Sequence, residues 1–175
     1  LMPGFVSDFG ENIAVDLDVT DSGAKYASWF QTTANFNRIK LILGLRWDQM
    51  NFYGAKNVFS PRGTFNYALF DQTQVSLHLG SYYQAPSLIW LNANPQNQSL
   101  DFIQTDQYIL GVEQLLQEDL QLTIEGYYKD YSNYPSSLTR PYLVMANTGA
   151  GFGGSNDGFA SFGLDPLANI GSGWA

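Results

Sequence analysis

Apolar residues recur at every second position between Arg38 and Met50. Ile39, Leu41, Leu43, Leu45 and Trp47 alternate with Lys40, Ile42, Gly44, Arg46 and Asp48. A strand sends two such sets to opposite faces, because its side chains repeat with period 2. Similar alternation fills other parts of the chain. The pattern predicts six strands, at 24–36, 37–50, 59–70, 74–86, 102–116 and 120–133. Each is 12 to 15 residues long, whereas an ordinary strand has about 5–6. A strand crossing a bilayer needs about 9–11 residues and can project beyond it.

The connections alternate in length. The expected turns at Asn37-Arg38, Asp71–Thr73 and Gln117–Asp119 are short; the connections at 51–58 and 87–101 are longer. Hairpin partners share a face, so the pattern can be tested by pairing. A two-residue turn at Asn37-Arg38 sets Phe36 opposite Ile39, Ala34 opposite Leu41 and Phe30 opposite Leu45. A three-residue turn at Asp71–Thr73 sets Leu69 opposite Val75, Tyr67 opposite Leu77 and Phe65 opposite Leu79. A three-residue turn at Gln117–Asp119 sets Leu116 opposite Leu120, Val112 opposite Ile124 and Tyr108 opposite Tyr128. In each case apolar residues meet. The other face collects Lys40, Arg46, Asp48, Arg62, Asn66, His78, Glu113, Thr123, Glu125 and Lys129. Residues 1–23 form an acidic, irregular outer loop, and 135–175 a glycine-rich one.

Composition sharpens the choice between a soluble sheet and one against lipid. Only 14% of the residues are charged and 15% are aromatic; a soluble domain has about 25% charged. Tyrosine and tryptophan collect at membrane interfaces. Tyr26, Trp47, Tyr82, Tyr83, Tyr127, Tyr128 and Tyr131 lie towards the outer strand ends, where such a girdle would sit. The net charge of −8 argues against nucleic acid, which needs a positive footprint. There is no cysteine, hence no disulfide or thiolate metal site.

Candidate chemistry is sparse. Gly149, Gly151 and Gly154 fit a Gly-x-Gly-x-x-Gly spacing, but a dinucleotide site requires a helix next, and "SNDGFASFG" reads as loop. Asp16, Asp18 and Asp21 do not follow calcium-loop spacing. His78, the sole histidine, has no nucleophile motif near it and reads as a hydrogen-bonded residue on the polar face. No catalytic residue, metal site or cofactor is expected.

Pro61, Arg62 and Tyr67, then Gly80, Gln84 and Pro86, then Tyr108, Gly111 and Glu113, then Tyr127–Asp130 occur in an order that resembles the barrel of TonB-dependent outer-membrane receptors. "GLRWD" (Gly44–Asp48) is similar to that family's Gly-x-Arg-Tyr-Asp. The resemblance covers about 24–135 and implies an all-β fold. It would be an antiparallel transmembrane β-barrel, here a partial sheet of about six long strands with short periplasmic turns and long outer loops. Complete receptors of this kind have about 22 strands around a plugged lumen, so the chain reads as a piece of the C-terminal barrel. The resemblance further implies residence in the bacterial outer membrane and contact with its lipid. It implies a plug domain in the same parent chain, and a TonB complex reached through a part outside this sequence. The parent would import a scarce solute: an iron chelate, including siderophores, cobalamin or an oligosaccharide. Trp90, Tyr142 and Phe152 are the expected ligand-loop contacts. A passive channel or adhesin, and a soluble β-sandwich binding module, are the alternatives.

Overall fold

The computed structural model describes residues 5–6, 12–13, 23–139, 144 and 166–175. Two short strands, β1 (Phe5–Val6) and β2 (Asn12–Ile13), pair antiparallel in a ladder of their own. The rest of the expected acidic loop 1–23, apart from Gly23, lies outside the described residues.

The main sheet runs in strict chain order through seven antiparallel strands. They are β3 (Ala24–Phe36), β4 (Ile39–Asn51), β5 (Ala55–Phe70), β6 (Thr73–Gln84), β7 (Ile103–Gln117), β8 (Leu120–Ser137) and β9 (Leu167–Trp174). The sheet is open: β3 and β9 each bond a neighbour on one side only. A short helix, α1 (Leu88–Ala93), and a 3-10 helix (Pro95–Ser99) stand between β6 and β7.

Three turns on one side of the sheet have two residues each, at 37–38, 71–72 and 118–119. Asn37 adopts φ 50°, a left-handed conformation that asparagine tolerates better than most residues. On the other side the connections are 52–54, 85–102 and 138–166. The first is a tight turn containing Gly54 at φ 107°, rather than the loop 51–58 expected from sequence. Strand β5 therefore starts at Ala55, four residues before the expected boundary.

Register in the first hairpin is as the pairing arithmetic has it: Phe36↔Ile39, Ala34↔Leu41 and Phe30↔Leu45. The second differs. Its turn holds Asp71 and Gln72, a bulge falls between Ala68 and Phe70, and Phe65 meets Leu77 while Tyr67 meets Val75. The extra residue sits in the bulge rather than in the turn. In the third hairpin Val112↔Ile124 and Tyr108↔Tyr128 hold. There the bulge between Leu115 and Gln117 sets Gln117, not Leu116, opposite Leu120.

Strand β9 falls inside the segment 135–175 that the sequence presents as loop, and β8 continues through Pro135 to Ser137. Gly171 makes the β8–β9 pairing possible: a Cβ there would lie 2.6 Å from Ser136 Oγ and 2.8 Å from the Tyr134 carbonyl.

The described apolar core is not inside the sheet but at the long-connection end. Trp90, Leu91, Leu100, Ile103 and Leu167 cluster there, with Phe52, Tyr53 and Tyr134 against them. Most other large apolar side chains of the sheet are exposed.

Candidate functional site

The ladder of registers assigns every sheet residue to a face. From β4 to β8 one face carries Leu43↔Gly63↔Leu79↔Tyr108↔Tyr128 as a continuous row. On either side of that row stand Leu41, Leu45, Phe65, Leu77, Leu110, Val112 and Ile124. Among these, Leu45, Phe65, Leu77, Leu110, Val112 and Ile124 are exposed. An open apolar face this extensive needs a cover of its own kind.

The boundary of this apolar face is oblique. On β4 it reaches Trp47, opposite Phe59 of β5. On β7 and β8 it stops at the Tyr108–Tyr128 pair, with rings 6.1 Å apart. Beyond them Asp106 stands opposite Asp130. Tyr128 shares a row with Leu43, which is four residues short of Trp47, so the boundary drops four residues over the four strand spacings from β4 to β8, an average of one per strand taken as a step between β5 and β7. At ~3.3 Å per residue and ~4.8 Å between strands, that is a slope of about 35°, within the usual strand tilt of membrane barrels, about 35–45°. The apolar run Ile39–Trp47 extends roughly 27 Å along its strand and roughly 22 Å once tilted, against an apolar band of about 25 Å in such barrels.

The opposite face is polar. The registers put Lys40, Arg46, Asp48, Arg62, Asn66, His78, Glu113, Glu125 and Lys129 all on it. Arg46 donates from Nε and Nη2 to the two Asp48 carboxylate oxygens, both at 2.7 Å. This is a bidentate, charge-assisted pair that holds both groups in one geometry. His78 sits opposite Thr64, not Asn66 as the sequence register has it, and its Nδ1 shares a 2.9 Å hydrogen bond with Thr64 Oγ1. Lys40 and Asn66 face each other across β4 and β5. The Arg62 guanidinium lies 4.5 Å from the Tyr82 ring centre, and the Lys129 ammonium 5.2 Å from that of Tyr127. The outer aromatics thus divide. Tyr26, Trp47, Tyr83 and Tyr128 stand on the apolar face, and Tyr82, Tyr127 and Tyr131 on the polar one. Trp29, an exposed edge residue, is an apolar exception on the polar face.

Pairing between β5 and β6 stops at Arg62↔Gly80. Next to it Pro61 has no amide hydrogen to give a ladder. A shallow depression of about 380 Å³ lies at this parting, lined by Leu43, Pro61–Gly63, Leu79–Ser81 and Asp106–Tyr108. Pro61 lies in the middle of β5.

The connection between β6 and β7 is built into the rim. Asn97 is fully buried (0% exposed). Its side chain donates to the Trp90 carbonyl at 2.9 Å and accepts from the Leu167 amide at 2.7 Å. Lys56 donates to the carbonyls of Ser99 and Leu100, both at 2.6 Å, and the Tyr53 hydroxyl donates to Asn92 Oδ1. Lys56 and Ile103 belong to the polar face, so the connection leans over that side of the sheet. Trp90, expected to touch ligand, is instead 4% exposed. It anchors the rim cluster, because a six-residue helix with no charged partner has only its apolar side chains to hold it down. Tyr142 and Phe152 lie outside the described residues. Sequence reading missed Asn97 and Lys56. A visible signal was Asn94-Pro95, an N-cap followed by proline at N1, where Asn94 Oδ1 accepts from the Gln96 amide.

A family profile described as "TonB dependent receptor-like, beta-barrel" matches residues 4–171. The chain belongs to that family. It is thus part of an outer-membrane transport barrel, and the open sheet fits a partial barrel. In the parent protein the family implies a plug domain and interaction with TonB. A comparison with curated proteins gave no match. No helix among the described residues is long and apolar enough to cross a membrane, which leaves crossing by strands unaffected.

Proposed function

We propose that this sheet is a wall segment of a receptor that imports a scarce solute, such as an iron chelate, cobalamin or an oligosaccharide, across the bacterial outer membrane. The inner-membrane TonB complex supplies the energy. The observation that carries this reading is the oblique apolar belt on one face, backed by a charged face over the same strands. The apolar face meets lipid, with Trp47 and Tyr128 at the outer interface. The polar face, from Lys40 and Glu113 near the short turns to Arg62 and Lys129 further out, lines the lumen and touches the plug. The short turns are periplasmic, and the connection 85–102 frames the solute entrance.

Two measurements on the parent receptor test this. Single cysteines carrying a fluorophore at Leu41, Leu43 and Leu45 are expected to be quenched by lipid-borne quenchers, and those at Lys40, Ile42 and Arg46 by water-soluble ones. The reverse pattern would end the wall reading. Solute accumulation in cells is expected to cease when the proton-motive force is collapsed; uptake that continues would identify a passive channel.

A further inference from the structure

The chain as a whole is strongly acidic, yet charge on the polar face is sorted by height. Its outer half, from the Gln31–Gly44–Arg62–Gly80–Gln107–Lys129 row towards the long connections, holds Lys25, Arg46, Lys56, Arg62 and Lys129. These are five of the eight basic residues in the chain, while among the described strand residues of that half only Asp48, one of sixteen acids, offsets them, with Asp101 in the connection above. Asp48 is already committed to Arg46, and Lys56 to two carbonyls. Arg62 and Lys129 have no carboxylate within ion-pair distance among the described residues.

These two cations share one cross-strand row, three strand spacings or roughly 14 Å apart, with the Gln107 amide between them. Each is backed by a tyrosine ring. The arginine arrangement is built in: a Cβ on Gly80 would come 3.0 Å from the Tyr82 ring, so the glycine leaves room for the ring over which Arg62 lies. A guanidinium whose carbon lies over an aromatic ring can still turn its N–H donors outward, and those donors match the oxygens of a carboxylate or phosphate. Low-dielectric walls lined with one sign of charge also concentrate counter-ions.

We propose that the outer half of this face is an oxyanion site, with Arg62 and Lys129 as its binding residues, and that the imported solute is anionic. This rests on the wall reading above and narrows its solute classes to those bearing carboxylate or phosphate oxygens. Neutral oligosaccharides would gain nothing from the two cations.

The test uses the full-length parent receptor in detergent, titrated with inorganic pyrophosphate by calorimetry at low salt. Binding is expected. It should weaken about tenfold in Arg62→Gln and in Lys129→Gln, and further in the double variant. It should also weaken about tenfold between 50 and 300 mM salt, and stay unchanged in Lys40→Gln, nearer the short turns. Pyrophosphate that fails to bind, or binds wild type and double variant equally, would overturn the proposal; so would plug carboxylates found paired with Arg62 and Lys129. Circular dichroism of each variant confirms that the barrel is intact. The quenching pattern above is independent of this titration. Correct quenching with no pyrophosphate effect removes the anion site alone, and inverted quenching removes the wall reading.

Discussion

Asn97 ties three stretches of chain together through one amide, joining the 3-10 helix to α1 and to the start of β9. Asn97→Ala strands the Trp90 carbonyl and the Leu167 amide in a buried place, and each stranded group costs about 1–3 kcal/mol. Hydrogen exchange at Leu167 should accelerate accordingly while exchange in β4 stays unchanged. Leu43 tests the other extreme, a residue whose exposure is its role. In the middle of the apolar run, Leu43→Lys should cost about 2–4 kcal/mol when the parent receptor refolds into lipid vesicles. Gln31→Lys on the polar face should stay within about 0.5 kcal/mol. At this scale the sequence was legible for faces and poor for neighbours. His78 was placed on the correct side but opposite the wrong residue, since a register slip of two residues exchanges partners without exchanging faces. Trp90 misled because a tryptophan in a connection looks available. Its burial depends on Leu100, Ile103 and Leu167, which are distant or separated by a turn.

At the scale of elements, long alternation was easy to read and irregular pairing was not. Strands β4, β7 and β8 carry their own period. Strand β9 does not: "LANIGSGW" has two glycines and weak alternation, and it is held by its neighbour rather than by its own propensity. Gly171→Ala tests that dependence. The new methyl would collide with the Tyr134 carbonyl, so the edge should loosen. Amide protection in β9 is expected to fall while the β3–β4 hairpin keeps its own. The bulges near Leu69 and Leu116 were equally hidden, because a bulge and a longer turn consume the same residue. The early start of β5 was masked by Lys56 and Asn57, polar residues on a strand that has not yet reached the apolar belt at Phe59.

The whole sheet acts as a sheared ribbon. Its short turns are linked across hairpins: the Ala68 amide donates to the Arg38 carbonyl at 2.8 Å, and the Leu115 amide to the Gln72 carbonyl at 2.8 Å. An apolar belt sloping at about 35° to the rows lies level only if the strands lean by that angle. Polarised infrared spectra of the parent receptor in oriented bilayers should give a mean strand tilt of about 35–45°; strands near upright would contradict the belt. The parting of β5 from β6 beside Pro61 has a mechanical meaning as well. A closed barrel resists being stretched around its girth through the hydrogen bonds that join each strand to the next. Over Ala55–Pro61 and Ser81–Gln84 β5 and β6 lack that stitching, so the hoop is thinned there. A pull transmitted to the wall would meet fewer backbone hydrogen bonds there, just outward of the height where Arg62 stands.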